Sequence, residues 1–157
     1  MNLTPAEIQA LQAALPRMSA QEKIATLEML EQMEQQLEVE AARDDLIAFA
    51  NVVYPNYAAG AHHRHMAKLF KDVVEGRKTR IIINIAPRHG KSELTSYLLP
   101  AWYLGHKPDA KIIMATHTQS LSEDFGRRVR NLIGDGEYRR VFPETTLQTD
   151  SKSAGSW

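Results

Sequence analysis

Along much of the chain, apolar residues recur every three or four positions. Elsewhere they come in short unbroken runs. Ile24, Leu27, Leu30, Met33 and Leu37 keep the helical step, with glutamates and glutamines filling the other face. This predicts a long helix over about 20–51. Ser19-Ala20-Gln21-Glu22 forms a capping box at its start. Thr4-Pro5-Ala6-Glu7 predicts an earlier helix start, with Leu11 and Leu15 on its apolar side and Pro16 ending it. The long stripe has two readings. It packs on its own domain, or it forms an intermolecular coiled coil with about two regular heptads.

Val52-Val53-Tyr54-Pro55-Asn56-Tyr57 and the Ala-Gly stretch to Ala61 break the pattern, which sets a boundary between residues 1–55 and 56–157. His65, Met66, Leu69, Phe70, Val73 and Val74 then return to helical spacing, ending near Gly76. Arg80-Ile81-Ile82-Ile83-Asn84-Ile85 is short, apolar and β-branched, as a buried parallel strand is. A loop follows to Gly90, then a helix from about Lys91 to about Leu104. Lys111-Ile112-Ile113-Met114-Ala115 reads as a second buried strand. Ser120-Leu121-Ser122-Glu123 opens a basic helix to about Ile133. Strand, helix, strand, helix over 80–133 predicts an α/β fold: an incomplete P-loop NTPase-type parallel sheet with flanking helices, preceded by an N-terminal helical segment.

Charge sharpens the division. Residues 1–50 hold nine acidic and three basic side chains; residues 51–157 hold ten and sixteen, although the chain sums to zero. The acidic half reads as a partner-binding or simply solvated helical segment, the basic half as a surface for a polyanion. The chain has no cysteine, so disulfides and thiolate metal sites are excluded. It also has no secretory pattern at its start and no apolar run of membrane-spanning length.

The loop Ala86-Pro87-Arg88-His89-Gly90-Lys91-Ser92-Glu93 carries the chemistry. A helix start behind a buried strand offers unpaired N–H groups and a positive dipole end, which attract phosphate. Gly90 lets the backbone approach a phosphate. Lys91 reaches β- and γ-phosphates, and the Ser92 hydroxyl suits Mg²⁺. The general pattern has a glycine five residues before Gly90; here that position is Ile85.

Ile83-Asn84-Ile85-Ala86-Pro87-Arg88-His89-Gly90-Lys91-Ser92-Glu93-Leu94 resembles the first ATPase motif (Walker A) of large terminase subunits of tailed bacteriophages. The likeness continues through Pro100-Ala101-Trp102-Tyr103-Leu104-Gly105, Pro108 to Ile113, Phe125 to Arg130, and Phe142-Pro143. That family's loop also lacks the leading glycine and contains an arginine. The resemblance implies a motor that hydrolyses ATP with Mg²⁺ and drives double-stranded viral DNA into the capsid. It implies partnership with a portal protein and a small terminase subunit. It further implies a homo-oligomeric ring in the full-length protein, and a location in the host bacterial cytoplasm at the procapsid portal. Carried over, Lys91 and Arg88 are the catalytic residues, with Arg88 beside the γ-phosphate. Ser92 is the metal ligand, and Ala86 through Glu93 bind the nucleotide. The resemblance also places Tyr54 to His65 near the adenine side.

A complete motor needs a second apolar strand ending in acids, and a nuclease domain with its own carboxylates. Neither follows Ala115, so the expectation is a truncated ATPase domain with weak or absent hydrolysis on its own. Other features keep two readings each. His62, His63 and His65 are a helix start or a metal site. Thr116-His117-Thr118 is an ordinary turn or faces the nucleotide. Arg127, Arg128 and Arg130 form a solvated face or contact DNA or a neighbouring subunit. Trp102 and Tyr103 are core or stack on bases. Two other functions compete: a helical interaction module for a small terminase subunit or portal, and a different P-loop ATPase of helicase-like kind.

Overall fold

The computed structural model describes residues 13–14, 16 and 18–147. The Thr4 helix start, Leu11, Leu15 and the tail from residue 148 lie outside them. Contacts divide the chain into two units, residues 1–38 and 39–157. In the first, the capping box is formed. Ser19 N–H donates to Glu22 Oε2 (2.8 Å) and Glu22 N–H to Ser19 Oγ (3.3 Å), opening helix α1 (Ala20–Asp44). Its stripe is only partly covered: Leu30 and Met33 are half-buried, while Ile24, Leu27 and Leu37 each expose about half their surface (57%, 53% and 46%).

The expected single helix is in fact two. Asp45 leaves helical geometry, and its carboxylate accepts from the N–H groups of Ile47 (2.8 Å) and Ala48 (2.9 Å). It thereby caps a new helix α2 (Leu46–Val53), almost wholly apolar and buried. Helix α3 (Ala61–Val74) buries Met66, Phe70 and Val74 along one face, as its spacing predicts. The segment after the phosphate loop is a π-helix (Glu93–Leu98) running into α4 (Leu99–His106). Helix α5 (Gln119–Ile133) starts two residues earlier than the Ser120 box implies, because Thr118 Oγ1 accepts from Leu121 N–H. A short helix α6 (Gly136–Val141), which the apolar pattern does not announce, follows with Asp135 as its cap.

These helices build the core of the second unit. Phe49 of α2 meets Tyr138 of α6 edge-on, with ring centroids 6.0 Å apart, and Phe142 at 5.9 Å. Gly105 leaves room for that phenylalanine, since a Cβ there would fall 2.4 Å from the Phe142 ring. Trp102 is buried, as the core reading has it, and its indole N–H donates to Ala42 O at 2.9 Å. Tyr138 donates to Ala101 O, also at 2.9 Å. Arg43 closes on Val141 O at 2.6 Å.

The α/β expectation is not met. Among the described residues none lies in a strand, so the incomplete P-loop NTPase-type parallel sheet is absent and the fold there is helical. The two β-branched runs, 80–86 and 111–115, take no regular secondary structure, although the first alternates in burial as a strand would. Ile81, Ile83 and Ile85 are partly buried, while Ile82 and Asn84 face solvent. Local propensity makes a chain extended, but a ladder requires a neighbour at hydrogen-bonding distance along its whole length. Neither run has one, and Ile82 and Ile113 stand 89% and 94% exposed.

Candidate functional site

The loop between the first extended run and the π-helix curls tightly. Arg88 and Gly90 both take positive φ, 64° and 71°, on either side of His89. A glycine adopts that conformation freely; an arginine does so only when its surroundings impose it, and such residues gather at functional sites. The curl walls a cleft of about 400 Å³ lined by Ile85, Ala86, Pro87, Arg88, Gly90, Lys91, Ser92 and Glu93. Seven of the eight nucleotide-binding candidates therefore share one concavity. The eighth, His89, does not line it: its Nδ1 lies 2.8 Å from Pro87 O, and its carbonyl points to the histidines of α3.

Two cations stand at this cleft. Arg128, which reaches the lining from α5, is by contrast neutralised by Glu93 (2.6 Å). Among the described residues Arg88 and Lys91 have no carboxylate within ion-pair distance. Ser92 beside them is exposed. The helix that starts here keeps its first N–H groups unpaired inside the helix; the first bond back is Leu94 N–H to Gly90 O (3.0 Å).

Glu93 is the carboxylate of the lining, and Arg128 of α5 holds it. The same guanidinium lies over the Tyr97 ring, 4.2 Å from its centroid. Of the three arginines read as a solvated or DNA-contacting face, Arg128 is thus turned inward to the phosphate-loop helix. Arg127 pairs with Asp124 at 3.8 Å. Thr116, His117 and Thr118 are exposed, and the Thr116 hydroxyl donates to Thr118 O (2.6 Å), so this stretch is a cap for α5.

The histidine group divides. His65 is exposed, whereas His63 is buried against the loop. Gly60 N–H donates to His63 Nδ1 (3.1 Å), and His63 Nε2 lies 2.9 Å from His89 O. A Cβ on Gly90 would fall 2.5 Å from that nitrogen. Tyr57 packs on His63 (5.7 Å between ring centroids), and its buried hydroxyl has no hydrogen-bond partner among the described residues. Burial, with the Glu93 charge beside it, pushes the Tyr57 phenol above its ordinary range. No group of three or more His, Asp or Glu suited to a metal ion occurs among the described residues. The sequence put Tyr54 to His65 near the nucleotide only by resemblance; the specific contact of His63 with His89, 26 residues away, has no periodicity or motif from which it can be read.

Comparison with family models, with curated proteins and with solved structures finds no match for this chain. No described helix is long and apolar enough to cross a membrane.

Proposed function

We propose that this chain is the ATP-binding part of a viral DNA-packaging motor of the large-terminase kind, its phosphate loop being Ala86 to Glu93. The observation that carries the reading is the pair of unneutralised cations, Arg88 and Lys91, on a cleft whose floor is the start of a helix. Such a cleft suits a polyphosphate: the cations and the unpaired N–H groups are all donors, and the cleft's one carboxylate is already bound to Arg128. Lys91 and Arg88 would hold the phosphates, and the exposed Ser92 hydroxyl would take Mg²⁺. Held there, the metal would supply positive charge against the phosphates. The link to double-stranded viral DNA, a portal and a small terminase subunit rests on the terminase-like segments of the sequence.

The test is a titration of Mg·ATP against the wild type and Lys91→Ala. Loss of one charge-assisted phosphate contact weakens binding about ten-fold or more. Equal affinities would remove Lys91 from the site.

A second reading, that of an interaction module, is favoured by the partly covered stripe on α1, where Ile24, Leu27 and Leu37 sit among glutamates. Pull-down of portal or small terminase subunit by the full chain, with and without Leu27→Asp and Leu37→Asp, decides it. Binding that ignores both substitutions excludes the stripe.

A further inference from the structure

We infer that His63 is a positioning residue for the phosphate loop, its imidazole fixing the orientation of the His89–Gly90 peptide; the inference rests on the nucleotide-binding reading above. The tautomer follows from the hydrogen bonds. Gly60 N–H donates to Nδ1, so Nδ1 carries a lone pair, and the neutral ring keeps its proton on Nε2. That N–H lies 2.9 Å from His89 O and donates to it. His62 Nε2 is a longer neighbour of the same carbonyl, at 3.2 Å.

The consequence for the loop comes from peptide geometry. In a trans peptide the C=O and the next N–H point in opposite directions. With the His89 carbonyl drawn to α3, the Gly90 N–H points away from α3. A flipped peptide would present the carbonyl oxygen instead, and an oxygen lone pair repels phosphate where an N–H attracts it. The brace therefore selects the donor-presenting state of the loop.

Gly90 is the other half of this device. The imidazole occupies the volume a side chain at residue 90 would need, 2.5 Å from the Cβ position. The curl also asks for positive φ there. Residue 90 is glycine on both counts. His63 itself is held from the other side, buried to 8% exposure, with its ring flanked by His62 (centroids 3.9 Å apart) and Tyr57.

The test compares the full-length chain with His63→Gln and His63→Leu. Glutamine keeps an N–H that reaches His89 O; leucine fills a similar volume and donates nothing. Three measurements are made on each: Mg·ATP affinity, hydrogen exchange of the amides of residues 88–93, and thermal melting. Leucine is expected to weaken Mg·ATP about ten-fold and to speed exchange across the loop, while glutamine stays within about three-fold of wild type. Leucine matching wild type in affinity and exchange overturns the proposal. So does equal loss in both variants, which would mean that the ring only fills space. If the wild type fails to bind Mg·ATP, the nucleotide reading falls and exchange alone judges the brace: faster in leucine but not in glutamine sustains it, and unchanged exchange overturns it. Should His63→Leu fail to fold, nitrogen NMR of the wild-type imidazole decides. A proton on Nε2 with a bare Nδ1 supports the brace, and the opposite tautomer overturns it.

Discussion

Replacing Gly90 with alanine tests the loop geometry most directly, because two separate penalties converge on one methyl group. The first is conformational. At φ 71° a Cβ costs about 1–2 kcal/mol relative to glycine. The second is steric. The methyl would sit 2.5 Å from His63 Nε2, so the buried ring must move and its bond to His89 O is lost, a further loss of about 1 kcal/mol. Alanine also restricts the unfolded chain, which returns roughly 0.4–1 kcal/mol. The net expectation is a destabilisation of about 1–2.5 kcal/mol. For a chain of this size that lowers Tm by roughly 2–10 °C. Urea unfolding followed by tryptophan fluorescence measures it, since Trp102 is buried in the same unit. The two penalties separate in a double-mutant cycle with His63→Ala. Once the imidazole is gone the steric part vanishes and only the φ cost remains, so the pair should be sub-additive by about 1 kcal/mol. A Gly90→Ala cost below about 0.5 kcal/mol, or a strictly additive cycle, would refute the geometry argued here.

Two tyrosines should respond oppositely to loss of their hydroxyl. Tyr138→Phe removes the buried hydroxyl that donates to Ala101 O and is expected to cost about 1 kcal/mol, whereas Tyr57→Phe removes a buried hydroxyl with no partner among the described residues and should be neutral or slightly stabilising; the two urea midpoints compare them, and equal losses would refute the contrast. Arg128→Ala removes both the Glu93 ion pair and the stacking over Tyr97. It should cost about 1 kcal/mol and also weaken Mg·ATP, because a bare Glu93 carboxylate then faces the phosphates; unchanged ATP affinity in calorimetry would sink the second half. Partial burial against Trp102 and Phe142 holds His106 below the usual imidazole range. The unfolded chain therefore binds the proton more readily. The contribution from His106 is present above its unfolded value of about 6.5 and is lost as pH falls from there through the lower folded value. Urea midpoints between pH 7.5 and 5.5 should fall less steeply in His106→Gln, and parallel curves would exclude it.

What the sequence made legible depended on how far apart the cooperating residues lie. The Ser19 box, the apolar face of α3 and the loop at Gly90-Lys91-Ser92 are all local, and each pattern names its own structure. The break at Asp45 was harder to see, since the apolar stripe runs past it; the carboxylate wins by capping two N–H groups that the continuing helix would have left to its own ladder. The sheet failed for a different reason. β-Branched runs favour extended backbone, but pairing depends on a partner that propensity does not encode, and 80–86 and 111–115 stay without regular secondary structure. His63 lies between these extremes. Its contact with His89 bridges 26 residues; Gly90 shows that something must stand close, and the resemblance brings the segment Tyr54 to His65 near the nucleotide, but neither names the residue.

The same distinction governs what the site can do. Holding a polyphosphate needs donors and positive charge, and the loop concentrates both: Arg88 and Lys91 unpaired, the helix start open, and the His89 carbonyl turned back. Turnover needs something else, a carboxylate free to orient and activate a water molecule. Within the cleft lining that position falls to Glu93, and Arg128 occupies its oxygen at 2.6 Å while stacking on Tyr97. A carboxylate oxygen so engaged is not free to contact a water molecule. On the proposed reading, binding of Mg·ATP and its hydrolysis would therefore be separable, and Glu93 would supply little toward hydrolysis while Arg128 holds it.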